Sequence, residues 1–177
     1  VFIGIDGGFA PWVGALIGDV EQPILLVTPE GREEETVTRL ARVGFDNTLG
    51  YLEGSLEAWK KAGKATDSVE GINTTELKTL SEKESLTVFD VRKPGEYLSE
   101  HLPDAKNTPL DFINEHMNEF PTGTPFYMHC AGVYRSMIAA SILKSRGIHN
   151  LIDVRGGFGA IKESGMKVSD YVCPSTL

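Results

Sequence analysis

The stretch from Phe126 to Ser145 constrains the chain most. The apolar run Phe126-Tyr127-Met128 leads into His129-Cys130, crosses the short loop Ala131-Gly132-Val133-Tyr134, and enters a helical pattern through Arg135 and Ser136 to Ser145. This reads as a strand, a loop and a helix N-terminus. A strand that feeds a helix so directly belongs to an α/β fold, where the helix crosses back over a parallel sheet. The placement also carries chemistry. Backbone amides at a helix start, with the helix dipole, favour negative charge, and a cysteine held there is driven toward thiolate, the nucleophilic form. Arg135 adds a fixed cation with a planar fork of donors.

The rest of the chain alternates in the same way. Val1 to Ile5 and Ile24 to Thr28 read as strands, the second as a buried one from its continuous apolar character. Helical spacing follows at Ala10 to Ile17 and at Glu33 to Val43, where Glu33, Glu34 and Glu35 suit a first turn and Gly44 a stop. Thr48 to Leu52 reads as a strand and Leu56 to Ala62 as a helix closed by Gly63. Residues 64–71 are polar and aperiodic, hence a linker. Thr74 or Thr75 then caps a helix through Leu80. Leu86 to Val91 is a strand ending in Asp90-Val91-Arg92, Pro94 to Glu100 a short helix, and Pro109 to Phe120 another. After the Cys130 segment come a strand, Asn150 to Val154, a Gly156-Gly157 turn and a helix, Phe158 to Glu163. Strands alternating with helices predict an α/β fold with a mostly parallel sheet.

The sequence also repeats itself. Pro23 to Thr28 lies over Pro125 to Cys130, Gly44-Phe45-Asp46-Asn47 over Gly147-Ile148-His149-Asn150, and Gly54 to Lys60 over Gly156 to Lys162. Two units follow, residues 1–70 and 71–177, with Thr28 of the first standing where the second has Cys130. The first unit has no counterpart of residues 72–104, so the expectation is a chain that is the C-terminal part of a longer protein, cut inside its first unit.

The net charge of -8, concentrated in residues 1–70, and the lack of a basic stripe argue against nucleic-acid binding. No apolar run is long enough for a membrane span and no secretory signal is visible. Cys130 and Cys173 are far apart and lack metal-ligand spacing, so the expectations are a reducing, cytoplasmic setting, no structural disulfide, no metal and no cofactor.

In its second unit the chain resembles the rhodanese (sulfurtransferase) superfamily. The resemblance rests on Asp90-Val91-Arg92 with Glu96-Tyr97, on His101-Leu102-Pro103-Asp104-Ala105, on Cys130 through Arg135-Ser136, and on Gly156-Gly157-Phe158. It implies a rhodanese-like parallel sheet flanked by helices, in two tandem copies of which the first is truncated and inert. It further implies that Cys130 takes sulfane sulfur from thiosulfate or a persulfide donor and passes it, as a persulfide, to a thiol, sulfite or cyanide acceptor. The amides of Ala131, Gly132, Val133, Tyr134, Arg135 and Ser136 would cradle the sulfur and Arg135 would offset its charge, with Asp90 and Arg92 in support, bracing the loop or pairing with Glu96. The order of units is similar to fusions of a metallo-β-lactamase-fold enzyme, of the persulfide dioxygenase type, to rhodanese repeats; an upstream metal-dependent domain of the same polypeptide is the implied partner, and homodimers are expected of a truncated first unit. The family has Gly where this chain has Val133. If that Gly takes a positive φ, Val133 either strains the loop or shifts the turn to Gly132, which predicts slow sulfur transfer.

Other readings compete. A lone cysteine is commonly a buried core residue, and Cys173 is read so or as an inert surface group. His129 precedes Cys130 on a strand and points the other way. A non-catalytic sulfur carrier or docking module is a second function. Cysteine phosphatases and some arsenate reductases carry H-C-x5-R, to which His129-Cys130 and Arg135 are similar; here only four residues separate Cys130 from Arg135, a loop small for a tetrahedral phosphate.

Overall fold

A computed structural model describes residues 1–173; residues 174–177 of the expected second domain lie outside them. The chain forms two compact units, Ile3–Ser68 and one that begins at Val69 and takes in Val1–Phe2. Among the described residues no helix is long and apolar enough to cross a membrane.

The Ile3–Ser68 unit consists of α1 (Phe9–Leu16), β1 (Ile24–Leu26), α2 (Glu33–Ala41), β2 (Thr48–Tyr51) and α3 (Ser55–Lys61). β1 and β2 form a two-stranded parallel sheet. Its core joins Ile5, Phe9, Val13, Leu26, Leu40 and Phe45. The acidic first turn of α2 agrees with its sequence, and Gly44, at φ 89°, ends the chain's helical course. Two expectations fail here. Val1 to Ile5 is not a strand; its apolar residues supply side chains to the core, as Ile3 and Ile5 do, without a ladder. Ile24 to Thr28 is not buried on both faces. Leu25 and Val27 are 75% and 61% exposed, because a two-stranded sheet covered on one side leaves alternate residues outside.

The second unit contains β3 (Glu70–Ile72), α4 (Thr74–Ser81), β4 (Val88–Asp90), α5 (Pro94–Ser99), β5 (Lys106–Asn107), β6 (Phe126–His129), α6 (Tyr134–Ser145), β7 (Leu151–Val154) and α7 (Gly157–Glu163). Its five strands are all parallel, in the order β3-β7-β6-β4-β5. The expected α/β fold with a parallel sheet flanked by helices is therefore present. Both sheet faces are covered. On one, Val88 and Val154 join Leu77, Leu102, Phe158 and Ile161. On the other lie Phe89 and Phe126, in ring contact with each other and with Phe120. Pairing of Phe89 and Asp153 with Met128 places all three on that second face, to which Cys130, two residues after Met128, also belongs.

Here too the sequence misleads at three points. Residues 70 and 71, read as the end of the linker, belong to the edge strand β3. The cap of α4 is Asn73, in a reciprocal capping box with Glu76, rather than Thr74 or Thr75. Pro109 to Phe120 is not one helix but two 3-10 turns, Leu110–Phe112 and Met117–Glu119; Leu110, Ile113 and Phe120 are each buried, but a polar stretch separates the last two. The two-residue β5 carries no periodic signal and goes unread. Asn73→Ala removes the bond from the Glu76 N–H to Asn73 Oδ1, and we expect it to destabilise the unit by about 1 kcal/mol, read from the urea midpoint at constant m-value.

Candidate functional site

The connection after β4 leads outward to β5, whereas that after β6 leads back to β7. The carboxyl ends of β4 and β6 thus flank the switch point of the sheet, where α/β folds open a crevice. Asp90 ends β4 and Cys130 follows β6, with the Val91 N–H donating to the His129 carbonyl at 2.9 Å.

Cys130 is 1% exposed. Its Sγ lies 3.7 Å from Ser136 Oγ, and the Ser136 hydroxyl also donates to the Val133 carbonyl at 3.0 Å. The loop residues Ala131, Gly132 and Val133 are exposed. The Met137 N–H donates to the Val133 carbonyl, opening the helical ladder of α6; the amides of the first turn are those that a helix leaves without intrahelical carbonyls. Val133 has φ -132° and ψ -24°, and Gly132 is not among the positive-φ glycines. Neither the expected strain at Val133 nor a shifted turn at Gly132 occurs, since the loop passes both residues on the side of φ open to any side chain.

What holds the loop is α7. The Phe158 N–H donates to the Cys130 carbonyl at 2.7 Å, and the Gly159 N–H to that of Ala131 at 3.2 Å. Gly157, at φ 59°, permits this approach: a Cβ there would stand 2.5 Å from the Cys130 carbonyl oxygen, 2.8 Å from the Ala131 carbonyl carbon, and closer still to the Gly132 oxygen. Phe158 is fixed in turn by Arg92, whose guanidinium carbon is 3.8 Å from the ring centroid. Arg92 is buried, donates to both oxygens of the fully buried Asp90, and reaches the Glu100 carbonyl at 2.8 Å. Asp90 and Arg92 therefore brace the loop from beneath, but Arg92 does not pair with Glu96.

Glu96 pairs instead with Arg135, through two hydrogen bonds, one of 2.8 Å. This bond holds the Glu96 carboxyl below the usual carboxylate range, against its partial burial, and raises the Arg135 guanidinium, to which the nearby Cys130 makes a smaller contribution. His129 is fully buried on the opposite side of the strand from Cys130, stacked near Phe158. Burial lowers its pKa, with Asp90 opposing, so the imidazole is neutral; its Nε2 has no hydrogen-bond partner among the described residues. Tyr134 opens α6. Cys173 is exposed. Among the described residues there is no cluster of three or more potential metal-ligating side chains.

Residues 73–164 match the model of the Rhodanese-like domain family. The chain belongs to the rhodanese-like domain family. It is 34% identical over 88 residues to Uncharacterized protein YqhL of Bacillus subtilis (strain 168), covering 46% of this chain and 70% of that protein. It is 28% identical over 89 residues to a protein named Sulfurtransferase from Allochromatium vinosum, covering 50% and 83% respectively. Among solved structures, the Rhodanese-like Domain Protein from Staphylococcus aureus superposes with a TM-score of 0.52 at 32% identity, over 58% of this chain and 100% of that one.

Two motif residues of the sequence reading, Glu96 and Gly157, take roles here that the motif does not tell: Glu96 pairs with Arg135, and Gly157 permits the approach of the loop to α7. Gly157→Ala forces the loop off α7. We expect a loss of about 1–3 kcal/mol together with faster alkylation of Cys130, measured in a Cys173→Ser background. Glu96→Gln tests the ion pair. Because the folded carboxyl is lowered, its contribution is present above the ordinary carboxylate range and disappears as pH falls through the lowered value. The variant is expected to be less stable by about 0.5–1 kcal/mol at neutral pH and to converge with the wild type in acid, as followed by denaturant unfolding across pH.

Proposed function

We propose that this chain is a sulfurtransferase that carries sulfane sulfur on Cys130. The observation that supports this most is the position of Cys130: at the switch point of a parallel sheet, beneath a loop that leads into the N-terminus of a twelve-residue helix. The relative named Sulfurtransferase agrees with it. In the first half-reaction the Cys130 sulfur attacks the outer sulfur of thiosulfate or a persulfide. A new S–S bond forms, the donor's S–S bond breaks, and its electron pair leaves with sulfite or the donor thiolate. The Cys130 persulfide then gives its outer sulfur to a thiol, sulfite or cyanide and returns as thiolate. First-turn amides of α6 would stabilise the anionic persulfide. An anionic donor competes with Glu96 for Arg135, so Arg135 serves the donor only once that pair opens.

A carrier that delivers sulfur to a protein partner without turning over free donors is the second reading, favoured by the near-complete cover over Cys130. A phosphatase is disfavoured by the short loop and by the capture of Arg135.

Residues 3–68 are read here as a shortened rhodanese-like unit without chemistry of its own. Corresponding positions support this. Gly44 and Gly147 have φ 89° and 84°, Gly54 and Gly156 69° and 79°, Gly63 and Gly165 69° and 71°. Phe45 and Ile148 donate to Leu40 and Leu143 alike. Ser55, at φ 56°, matches Gly157 at 59°. Thr28, at the place of Cys130, offers only a hydroxyl.

Mass spectrometry after thiosulfate treatment, with the adduct located by peptide mapping, tests the assignment. The expected result is one added sulfur atom on Cys130, lost in Cys130→Ser along with thiosulfate:cyanide activity and retained in Cys173→Ser. An adduct elsewhere overturns it. Turnover with free thiosulfate and cyanide separates the catalyst from the carrier.

A further inference from the structure

The hydroxyl of Ser136 has a single proton and more than one claim on it. Ser136 is fully buried in the first turn of α6. Its hydroxyl donates to the Val133 carbonyl at 3.0 Å, and its oxygen accepts from the Cys130 thiol, with Sγ 3.7 Å away. This arrangement serves Cys130 in one form only. A thiol has a proton to give the serine oxygen, whereas a thiolate is an acceptor alone and needs a proton turned toward it. The Val133 carbonyl can release the serine proton, because it also accepts the Met137 N–H at 3.1 Å and is not left empty. The change asks only for rotation of the hydroxyl hydrogen, with every heavy atom in place. Resting on the reading of Cys130 as nucleophile, we infer that the Ser136 hydroxyl is a catalytic donor to the Cys130 sulfur, its proton turning from the Val133 carbonyl to Sγ whenever that sulfur carries the negative charge.

The proton follows the charge through the reaction. A hydrogen bond to a charged sulfur is stronger than one to a neutral carbonyl, so in the thiolate the proton faces Sγ. As Sγ attacks the outer sulfur of thiosulfate, a new S–S bond forms and the old one breaks, its electron pair leaving on sulfite. Sγ is then a neutral sulfur between Cβ and the outer sulfur. The charge sits on the outer sulfur, and the serine proton returns to Val133. In delivery to cyanide, the cyanide carbon bonds to the outer sulfur, the Sγ–S bond breaks with its electron pair staying on Sγ, and thiocyanate departs. Charge returns to Sγ and the serine proton with it. Ser136 thus assists Cys130 as attacking group and as leaving group, a part distinct from that of the first-turn amides, which are assigned to the anionic persulfide.

The charged groups on the surrounding elements have partners of their own. On α6, Tyr134 and Arg135 precede Ser136, and Arg135 is held by Glu96 of α5. Asp90, at the end of β4, is held by Arg92. On β7 the charge of Arg155 acts on the buried Asp153. His129 is neutral and lies on the opposite side of β6, and α7 carries no charge from Gly157 to Ile161. Ser136 is the group whose hydrogen bond to Sγ can change its sense.

The test is the pH profile of Cys130 alkylation by iodoacetamide in a Cys173→Ser background, with and without Ser136→Ala. Alkylation forms an S–C bond, expels iodide and consumes thiolate, and it asks nothing of thiosulfate. In Ser136→Ala the thiolate loses a charge-assisted hydrogen bond. The midpoint of the profile is expected to rise by about one pH unit, with alkylation about tenfold slower at neutral pH and an alkaline plateau no lower than that of the wild type. A midpoint that stays or falls overturns the inference, a fall meaning that the serine serves the thiol. Slowing by one factor at every pH also overturns it, since that is the effect of a disturbed loop. Should Ser136→Ala fail to fold, the protein with its serine in place decides. The Val133 carbonyl carbon, followed by NMR, is expected to shift as its bond from Ser136 is lost, through the same pH midpoint as alkylation, and to stay still in Cys130→Ala. A carbonyl that is stationary in both proteins, or that moves in both, overturns the inference. Thiosulfate loading is measured in parallel: the expected alkylation profiles without any sulfur uptake retain the role of Ser136 and reject the donor, so the two readings fail separately.

Discussion

The site depends on one close approach between backbones. The loop after Cys130 rests on the first turn of α7, where the Phe158 and Gly159 amides take the Cys130 and Ala131 carbonyls. No side chain fits between them, and Gly157 is where that limit is met. Everything beneath this contact fixes α7 in place. Phe158 lies under the Arg92 guanidinium, Arg92 is held by Asp90, and Asp90 closes the strand next to that of Cys130. A buried ion pair is weak as a source of stability. This one ties the end of β4 to α7 through Phe158 and to the Glu100 carbonyl after α5.

The positive charges around the site share a second property, since each has a carboxylate of its own. Arg92 is held by Asp90, Arg135 by Glu96 and Lys162 by Glu100. The crevice is therefore close to neutral despite three cations, and an arriving anion gains charge only by exchange with a carboxylate. Arg135–Glu96 is the pair suited to such exchange, as it is partly exposed where Arg92–Asp90 is buried.

Much of this could be read from the residues alone. The strand–loop–helix around Cys130 follows from an apolar run meeting helical periodicity, and β4, β7, α5 and α7 follow from similar signals. The failures have physical causes. Periodicity reports burial, and Leu110, Ile113 and Phe120 are buried along a stretch whose backbone forms only two 3-10 turns. β5 is two residues long and is set by its neighbour β4. The Val1 to Ile5 run has the composition of a strand without a strand to pair with. Motif matching fails differently at Val133, because a letter expected to be Gly stands at a backbone angle that makes no demand for Gly. The partner of Arg135 lies far off in sequence, at Glu96, and no local pattern joins the two.

The depth of Cys130 bears on how long the protein keeps its sulfur chemistry. A thiol that forms persulfides is also open to peroxide, which carries it through sulfenic to irreversible sulfinic and sulfonic acids. With 1% of Cys130 exposed, oxidants and donors meet the same cover. On the proposed reading, a donor anion would gain Arg135 by displacing Glu96, whereas neutral peroxide carries no charge with which to do so. On that reading the cover over Cys130 would slow oxidative loss of the thiol.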